Sequence, residues 1–358
     1  MHACVTYSHV GSWYVMEQPE PDVLTRIAFM FWQGHLQSFF MGILFLVGGY
    51  FAQGSLRRRG ASGFLRERLV RLGVPALFYM VALNPLINIV INPNGDRYGS
   101  LGAAYVRYLA TFRFLGGSGP MWFAVALLAF CAGLVVWRRF RPESGARSEG
   151  KSAVPGPRAL ALWALALVAS TFLVRTVQPI GQSVLNMQLC FFPQYILAFA
   201  AGVEASKGGW LQAIARSALA RRAGWAALVL GPVALAAVLM GAGVAQGKGL
   251  DTLVGGWKLP ALGLAAWEQL AGLGLGLGAL SFCSRRLDQS TALSRWLADR
   301  SFGVYLLHPV ALVLLTVAFR PLQADPFLKV SLLTGAGLGV SYMASDLVRR
   351  VPLFRAML

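Results

Sequence analysis

The sequence has little charge, and least of all acidic charge. Only 13% of its 358 residues are charged, and 14 acidic residues face 32 lysines and arginines. Soluble domains carry about 25% charged residues, whereas 56% of this chain is apolar and its mean hydropathy is +0.59. These proportions exclude a soluble globular protein. Apolar stretches of about 20 residues, enough to cross a ~30 Å hydrocarbon layer as helices, indicate a polytopic membrane protein.

Cysteine is also scarce. The chain has 4 cysteines, none in a CxxC pair: Cys4, Cys131, Cys190 and Cys283. They lie in or beside apolar segments, so neither a disulfide framework nor a metal site is expected. The N-terminus lacks a basic stretch followed by a small-residue cleavage site, so no removable signal peptide is expected.

The apolar segments predict an all-α bundle with nine full transmembrane spans. Residues 1–16 are apolar and aromatic but too short to cross alone, so they are predicted to be the outer part of a truncated first helix. Such a helix would begin in the cytoplasm if complete. The length leaves no room for a separate globular domain, so residues 1–358 are predicted to form one integral membrane domain. The nine spans are predicted near residues 27–52, 73–92, 120–137, 159–178, 189–204, 224–245, 259–283, 301–319 and 327–347.

The basic residues predict the topology. Short basic loops stay in the cytoplasm, and the basic segments alternate with poorly charged ones, so the C-terminus is predicted to be cytoplasmic. This alternation also accounts for the net charge of +18 without a nucleic-acid partner. Residues 138–158 are rich in Pro, Gly, Ser and charge, which predicts a flexible cytoplasmic loop. Most basic residues lie in 57–71, 138–158, 207–222, 285–300 and the tail.

Few polar residues lie in the apolar segments, and each is a functional candidate because burial in a membrane is costly. The histidines are His2, His9, His35 and His308. Histidine exchanges a proton near neutral pH, although a hydrogen bond between helices remains the alternative for each of them. Gln37 and Gln194 are amides that can bind a sugar hydroxyl or simply each other.

Six arginines crowd residues 57–71. The spacing of Arg66, Arg68 and Arg71 predicts guanidinium groups along one edge of a short helix at the cytoplasmic surface. The donor fork of arginine suits phosphate and carboxylate groups, so a phosphorylated cytosolic ligand is one interpretation. An ordinary basic loop is the other. Trp122 and Tyr195 lie in aromatic runs at the outer ends of spans, where interfacial belts need no catalytic role.

Five segments resemble, in the same order, signatures of the membrane-bound acyltransferase 3 family. The five segments cover the second helix, an RxxR segment ending in proline, and three later motifs. His2 is a further match. The matches therefore run from residue 2 to about residue 310. The segments are Phe39–Phe51, Phe64–Pro75, Met121–Phe123, Phe192–Tyr195 and Ser301–Pro309.

The resemblance implies a ten-span enzyme of the bacterial inner membrane. Such an enzyme would move an acetyl, succinyl or similar group from cytosolic acyl-CoA to a hydroxyl of a carbohydrate or another envelope or secreted molecule. Its partners would be acyl-CoA, the carbohydrate acceptor and the lipid bilayer. It would hold no permanent cofactor, because acyl-CoA is a substrate.

The resemblance also assigns roles to residues. The family's first helix carries an arginine, ten intervening residues and a histidine held to be catalytic. His2 matches that histidine, while the arginine would lie before Met1. The resemblance places Arg57, Arg58, Arg66, Arg68 and Arg71 at the phosphates of CoA. The expected lining residues are Gln37, Trp122, Gln194, Tyr195 and His308, and His308 either assists His2 or bonds to a neighbour. His35 is expected to be structural.

Two alternatives remain open from the sequence. A transporter of a glycan or lipid-linked precursor would also use membrane histidines and glycine-rich helices, although no paired halves with broken helices are visible. A catalytically inactive, truncated relative would account for the absent arginine. Consumption of acyl-CoA by the purified protein would separate an enzyme from a carrier.

Overall fold

The computed structural model describes residues 1–17, 20–91, 100–141, 155–247 and 249–352. These residues are almost entirely helical; within them there is no β-strand, only an isolated bridge between Val184 and Met187. The prediction of an all-α membrane bundle is confirmed. The helices are α1 His2–Ser8, α2 Val23–Arg68, α3 Val74–Phe78, α4 Asn84–Ile91, α5 Leu101–Ala110, α6 Trp122–Phe140, α7 Pro157–Val177, α8 Phe192–Gly208, α9 Trp210–Arg216, α10 Ala218–Gly241, α11 Leu250–Leu253, α12 Leu259–Arg286, α13 Ala292–Phe319 and α14 Pro326–Val348.

Seven helical stretches among the described residues are long and apolar enough to cross a membrane, so the chain is an integral membrane protein. The first is a 67-residue stretch, Val23–Ile89, which contains the predicted span 27–52 and most of the predicted span 73–92. Helix α12 coincides with the predicted span 259–283 but is not among the seven, and it carries Glu268 and Gln269 near its middle. The count of nine spans therefore stays a prediction.

The arginine-rich segment spans a break at Gly60, so Arg66, Arg68 and Arg71 lie on a helical part separate from residues 23–59, as predicted. This part is not short, because it continues to Ile89. A straight helix of 67 residues would be about 100 Å long, far more than one crossing. At Gly60 the backbone leaves helical geometry with φ +69° and ψ 173°, a conformation that glycine adopts without a steric penalty. After this break the chain turns back, because the Glu67 carboxylate lies 3.2 Å from Arg59 Nε and 3.4 Å from Ser55 Oγ.

Several other element boundaries differ from the predictions; helix α10, for example, is Ala218–Gly241 rather than 224–245. Helix α6 continues to Phe140 and α7 begins at Pro157, so the ends of the predicted 138–158 loop are helical. Residues 142–154 of that loop lie outside the described residues. Helix α13 begins at Ala292 rather than near residue 301, because Thr291 and Ser294 form a reciprocal capping box that satisfies free backbone donors of its first turn.

Helix α2 also begins at a capping residue. The Asp22 carboxylate accepts hydrogen bonds from the backbone N–H groups of Leu24 and Thr25, each at 3.0 Å. The Thr25 hydroxyl donates a further hydrogen bond of 2.6 Å, and this bond is the main reason that the pKa of Asp22 lies below its usual value. Capping of this kind satisfies donors that have no partner within the helix.

Helices α2 and α8 pack with their backbones in direct contact. A Cβ atom built on Gly202 would lie 1.9 Å from the Leu46 carbonyl oxygen, and one on Gly49 would lie 2.1 Å from the Phe199 carbonyl oxygen. Only glycine allows this approach, as is common at helix contacts within membranes. The contact supports the main apolar core around Phe45.

Replacing Gly202 by alanine is expected to lower the free energy of unfolding by about 1–3 kcal/mol, because the added methyl group overpacks this contact. Gly335 in α14 is the matched control, since a Cβ atom there meets nothing within 4 Å. Denaturant titration in mixed micelles measures both variants. Equal stability of Gly202→Ala and Gly335→Ala would contradict the packing described here.

Candidate active site

His2 and His308 meet inside the bundle although 306 residues separate them in sequence. His2 Nδ1 lies 3.0 Å from His308 Nε2, and the two rings are nearly parallel, with an interplanar angle of 6°. Trp13 stacks on the His2 ring with ring centroids 3.8 Å apart. Helix α1 thus presents its first residue to the middle of α13.

Three polar contacts hold this N-terminal segment against the bundle. Gln33 Nε2 of α2 donates to Ser8 Oγ at 2.8 Å in a buried contact. Lys329 Nζ of α14 pairs with Glu17 Oε1 at 2.7 Å. Tyr14 Oη donates to Asn84 Oδ1 at 2.7 Å. The position of His2 is therefore fixed from three different helices.

A backbone carbonyl determines where the protons of the histidine pair lie. His308 Nδ1 is 2.8 Å from the Tyr305 carbonyl oxygen, which can only accept, so Nδ1 carries the proton of the neutral ring. His308 Nε2 is then an acceptor, and His2 Nδ1–H donates a hydrogen bond to it. This leaves a free lone pair on His2 Nε2, the form that a general base requires.

The histidine pair lines a cavity of about 1380 Å³, larger than the ~300–1,000 Å³ of most small-molecule sites. Of the residues predicted from sequence, the cavity brings together His2, Gln37, Trp122, Tyr195 and His308. Further polar or aromatic lining residues are Trp13, Tyr14, Asn84, Trp267, Glu268 and Tyr305.

One wall of the cavity is aromatic and carries few polar groups. Tyr195 stacks on Phe45 with ring centroids 4.9 Å apart and on Trp122 at 5.8 Å. Its hydroxyl accepts a hydrogen bond of 3.2 Å from Gln37 Nε2. Tyr305 Oη donates to the Pro120 carbonyl and so ties α13 to this wall. Apolar walls with a few oriented polar groups are typical of small-molecule sites.

Gln194 does not line the cavity, unlike its sequence neighbour Tyr195. Its Nε2 donates to the Ser38 carbonyl oxygen at 2.6 Å, and its side chain fills the space beside Gly42 and Gly272. The amide therefore joins α8 to α2. A side chain one position along a helix points in a different direction, and the sequence pattern alone did not distinguish the two residues.

The predicted CoA-binding arginines do not line the cavity either. Arg57, Arg58, Arg66 and Arg71 are exposed, while Arg68 is half-buried with its guanidinium 5.3 Å from the centroid of the Phe64 ring. Leu44 is the cavity-lining residue of α2 nearest to them in sequence, and Arg57 lies about 20 Å farther along the helix. The structure therefore does not bring these arginines together with the histidines at the cavity.

The structure reveals one functional candidate that the sequence reasoning missed, a buried ion pair. Arg175 Nη2 of α7 contacts Glu268 Oε2 of α12 at 2.7 Å, and the side chains are 0% and 7% exposed. Gln269 donates to the other carboxylate oxygen at 3.0 Å. Two guanidinium nitrogens of Arg175 have no acceptor among the described residues. The sequence signal for this pair is that each of the two charged residues lies within an apolar segment, where a charge is costly.

His9 and His35 lie away from the cavity lining. His9 ends α1 in a left-handed conformation with φ 57°, and its Nε2 contacts the Glu17 carbonyl oxygen at 2.6 Å. His35 Nδ1 donates to the Phe31 carbonyl oxygen at 2.7 Å, and its ring meets Trp267 edge-on at 5.1 Å. Both residues contact neighbouring backbone and side chains.

His308 is expected to position His2 rather than to contact substrate. Replacing His308 by phenylalanine keeps a ring but removes the Nε2 acceptor. Loss of one such hydrogen bond costs about 0.5–1.5 kcal/mol, which predicts a kcat that is about two- to tenfold lower. Replacing it by glutamine supplies an oxygen acceptor and should restore most of that loss. The measurement is steady-state acyl transfer, with KM nearly unchanged in both variants. Equal impairment of both variants would mean that His308 serves packing alone.

Comparison with known proteins places this arrangement in a family. A family model described as an acyltransferase domain, that of acyltransferase 3, matches residues 2–346. No curated protein and no solved structure matches the chain. The matched region contains both histidines, the cavity and the arginine-rich segment. The chain therefore belongs to the acyltransferase 3 family of membrane acyltransferases.

Proposed function

We propose that the protein transfers an acyl group from acyl-CoA to a hydroxyl of a carbohydrate or a related envelope or secreted molecule. The observation that carries this proposal is the hydrogen-bonded chain from Tyr305 through His308 to His2 at the wall of a large cavity. It leaves a basic nitrogen on His2, which transfer to an alcohol needs.

The proposed reaction is a single acyl transfer at His2. The His2 Nε2 lone pair takes the hydroxyl proton while the hydroxyl oxygen attacks the thioester carbonyl carbon. The C–S bond then breaks, and the thiolate of CoA takes the proton back from His2, leaving an ester and a free thiol. The indole N–H of Trp13 is buried without an acceptor among the described residues and is available to the developing oxyanion.

The donor would bind in two parts. The phosphates of CoA would meet Arg57, Arg58, Arg66, Arg68 and Arg71, whose guanidinium groups suit phosphate oxygens. The thioester would reach the cavity through the extended pantetheine arm. Support comes from the finding that these arginines lie outside the cavity of the histidine pair. Acyl-CoA carries its phosphates at one end and its thioester at the other, so one donor molecule can contact both places.

The acceptor would bind the mixed polar and aromatic wall. Gln37, Tyr195 and Glu268 offer amide, hydroxyl and carboxylate groups to a molecule with several hydroxyls, and Trp122 supplies an aromatic surface. Gln37 bonds to Tyr195, and Glu268 bonds to Arg175 and Gln269. These contacts hold the groups in place, and each group keeps a further donor or acceptor for a substrate hydroxyl. This combination favours a carbohydrate over an apolar alcohol.

For the membrane, we propose the bacterial inner membrane with the C-terminus in the cytoplasm. The support is the alternation of basic and poorly charged segments along the chain, because short basic loops stay in the cytoplasm. This orientation places the arginine-rich segment on the side where acyl-CoA is made.

Mass spectrometry of envelope and secreted glycans tests the proposal in cells. Cells that express the protein should carry an added acyl mass on a glycan, and the mass identifies the group. Cells that express His2→Gln at the same level should lack it. Identical glycan spectra from the two strains would contradict the proposed function.

A further inference from the structure

A second groove lies on the outside of the bundle, between α10 and α12. Its volume is about 900 Å³, and it shares no lining residue with the cavity of the histidine pair. Helices α10 and α12 touch at two glycines, since a Cβ atom on Gly224 would lie 2.5 Å from the Cα of Gly278. Beside this contact the larger side chains of both helices form the walls of the groove.

One end of the groove is basic. It is lined by Arg221 near the start of α10 and by Arg285 and Arg286 at the end of α12. Arg285 Nη2 donates to the Arg216 carbonyl oxygen at 2.8 Å. Neither Arg221 nor Arg286 makes a hydrogen bond or ion pair with any described residue. The groove therefore ends in guanidinium groups whose charge is not balanced within it.

The rest of the groove is apolar and open to the outside. Trp225 is 63%, Leu228 is 54% and Phe282 is 60% exposed, and all three line the groove. Ser281 also lines it, and its hydroxyl is buried without a hydrogen-bond partner among the described residues. A ligand in this groove meets positive charge at one end and apolar surface along the rest.

We propose that this groove binds an anionic phospholipid, with its phosphate at Arg221, Arg285 and Arg286 and its acyl chains against Trp225, Leu228 and Phe282. Basic pockets between membrane helices at the cytoplasmic side are suited to anionic headgroups. A lipid fits better than a soluble phosphate compound, because the apolar surface continues directly from the arginines. A second copy of the chain would bring the same positive charges together.

Native mass spectrometry of the full chain provides the first test. The protein is exchanged into mixed micelles containing equal amounts of phosphatidylglycerol and phosphatidylcholine, and retained lipids are counted. We expect phosphatidylglycerol to be preferred, and the preference to fall about fivefold for each of Arg221→Gln and Arg286→Gln. Arg222→Gln is the matched control, since Arg222 is exposed beside Arg221 but does not line the groove. Equal retention of both lipids, or equal loss in the control, would overturn the proposal.

A second test needs no change of charge. Phospholipids with brominated chains quench nearby tryptophans, so brominated phosphatidylglycerol should quench the wild-type protein more than brominated phosphatidylcholine does. Trp225→Phe should remove this difference. Added coenzyme A should not restore the fluorescence; if it does, the groove binds the nucleotide of the donor and the lipid proposal fails. Quenching that is independent of the headgroup would also overturn it.

Discussion

Replacing His2 by alanine is expected to lower the rate of acyl transfer by about 10²- to 10⁴-fold, the usual contribution of a general base. The reason is geometric: His2 lines the cavity, and its bond to His308 Nε2 leaves the other ring nitrogen free to take a proton. The measurement is the formation of a labelled ester from labelled acyl-CoA by purified protein. Substrate binding should change much less than kcat.

Two controls separate lost chemistry from lost structure. His9→Gln changes another histidine of the same segment, which does not line the cavity, and should keep most of the activity. Added imidazole should partly restore His2→Ala, because the removed ring leaves a space that imidazole fits. Full activity of His2→Ala would exclude His2 as the base.

Breaking the Arg175–Glu268 pair is expected to have the largest effect on stability. Both side chains are buried, so Glu268→Gln leaves an uncompensated charge within the bundle, which costs about 3–5 kcal/mol. Arg175→Met should cost a similar amount by leaving the carboxylate without its partner. Denaturant titration in mixed micelles measures both losses. The double variant, with neither charge, should recover most of the stability.

The double variant also separates a structural role from a functional one. Glu268 lines the cavity whereas Arg175 is fully buried behind it. If Glu268 binds acceptor hydroxyls, the double variant should fold and yet show a higher KM for the acceptor, with an unchanged KM for acyl-CoA. If the double variant instead loses as much stability as the two single variants together, the two residues are not coupled.

Local patterns in the sequence predicted the helices, because the length of an apolar segment can be read from that segment alone. The break of α2 at Gly60 was not predicted, because the basic segment is helical on both sides of this single glycine. The early start of α13 depends on the side chains of Thr291 and Ser294. The hydropathy of the sequence indicates neither the break at Gly60 nor the start of α13.

The sequence predicted most residues of the candidate site but not how they are arranged. The resemblance indicated His2 and left two roles open for His308. Local sequence patterns do not show that the two histidines are in contact, because 306 residues separate them. Tyr195 and Gln194 are adjacent in sequence, yet only Tyr195 lines the cavity. The Arg175–Glu268 pair was not predicted, because the two charges lie in different apolar segments and only the packing of α7 on α12 shows that they meet.

The most direct test of the central claim follows acyl-CoA with purified wild-type protein in detergent. The proposed enzyme should release one free CoA thiol for each ester formed on an added glycan acceptor, and release should fall when the acceptor is withheld. His2→Ala should show neither product. A wild-type protein that binds the glycan but leaves acyl-CoA intact would contradict the account and favour a carrier.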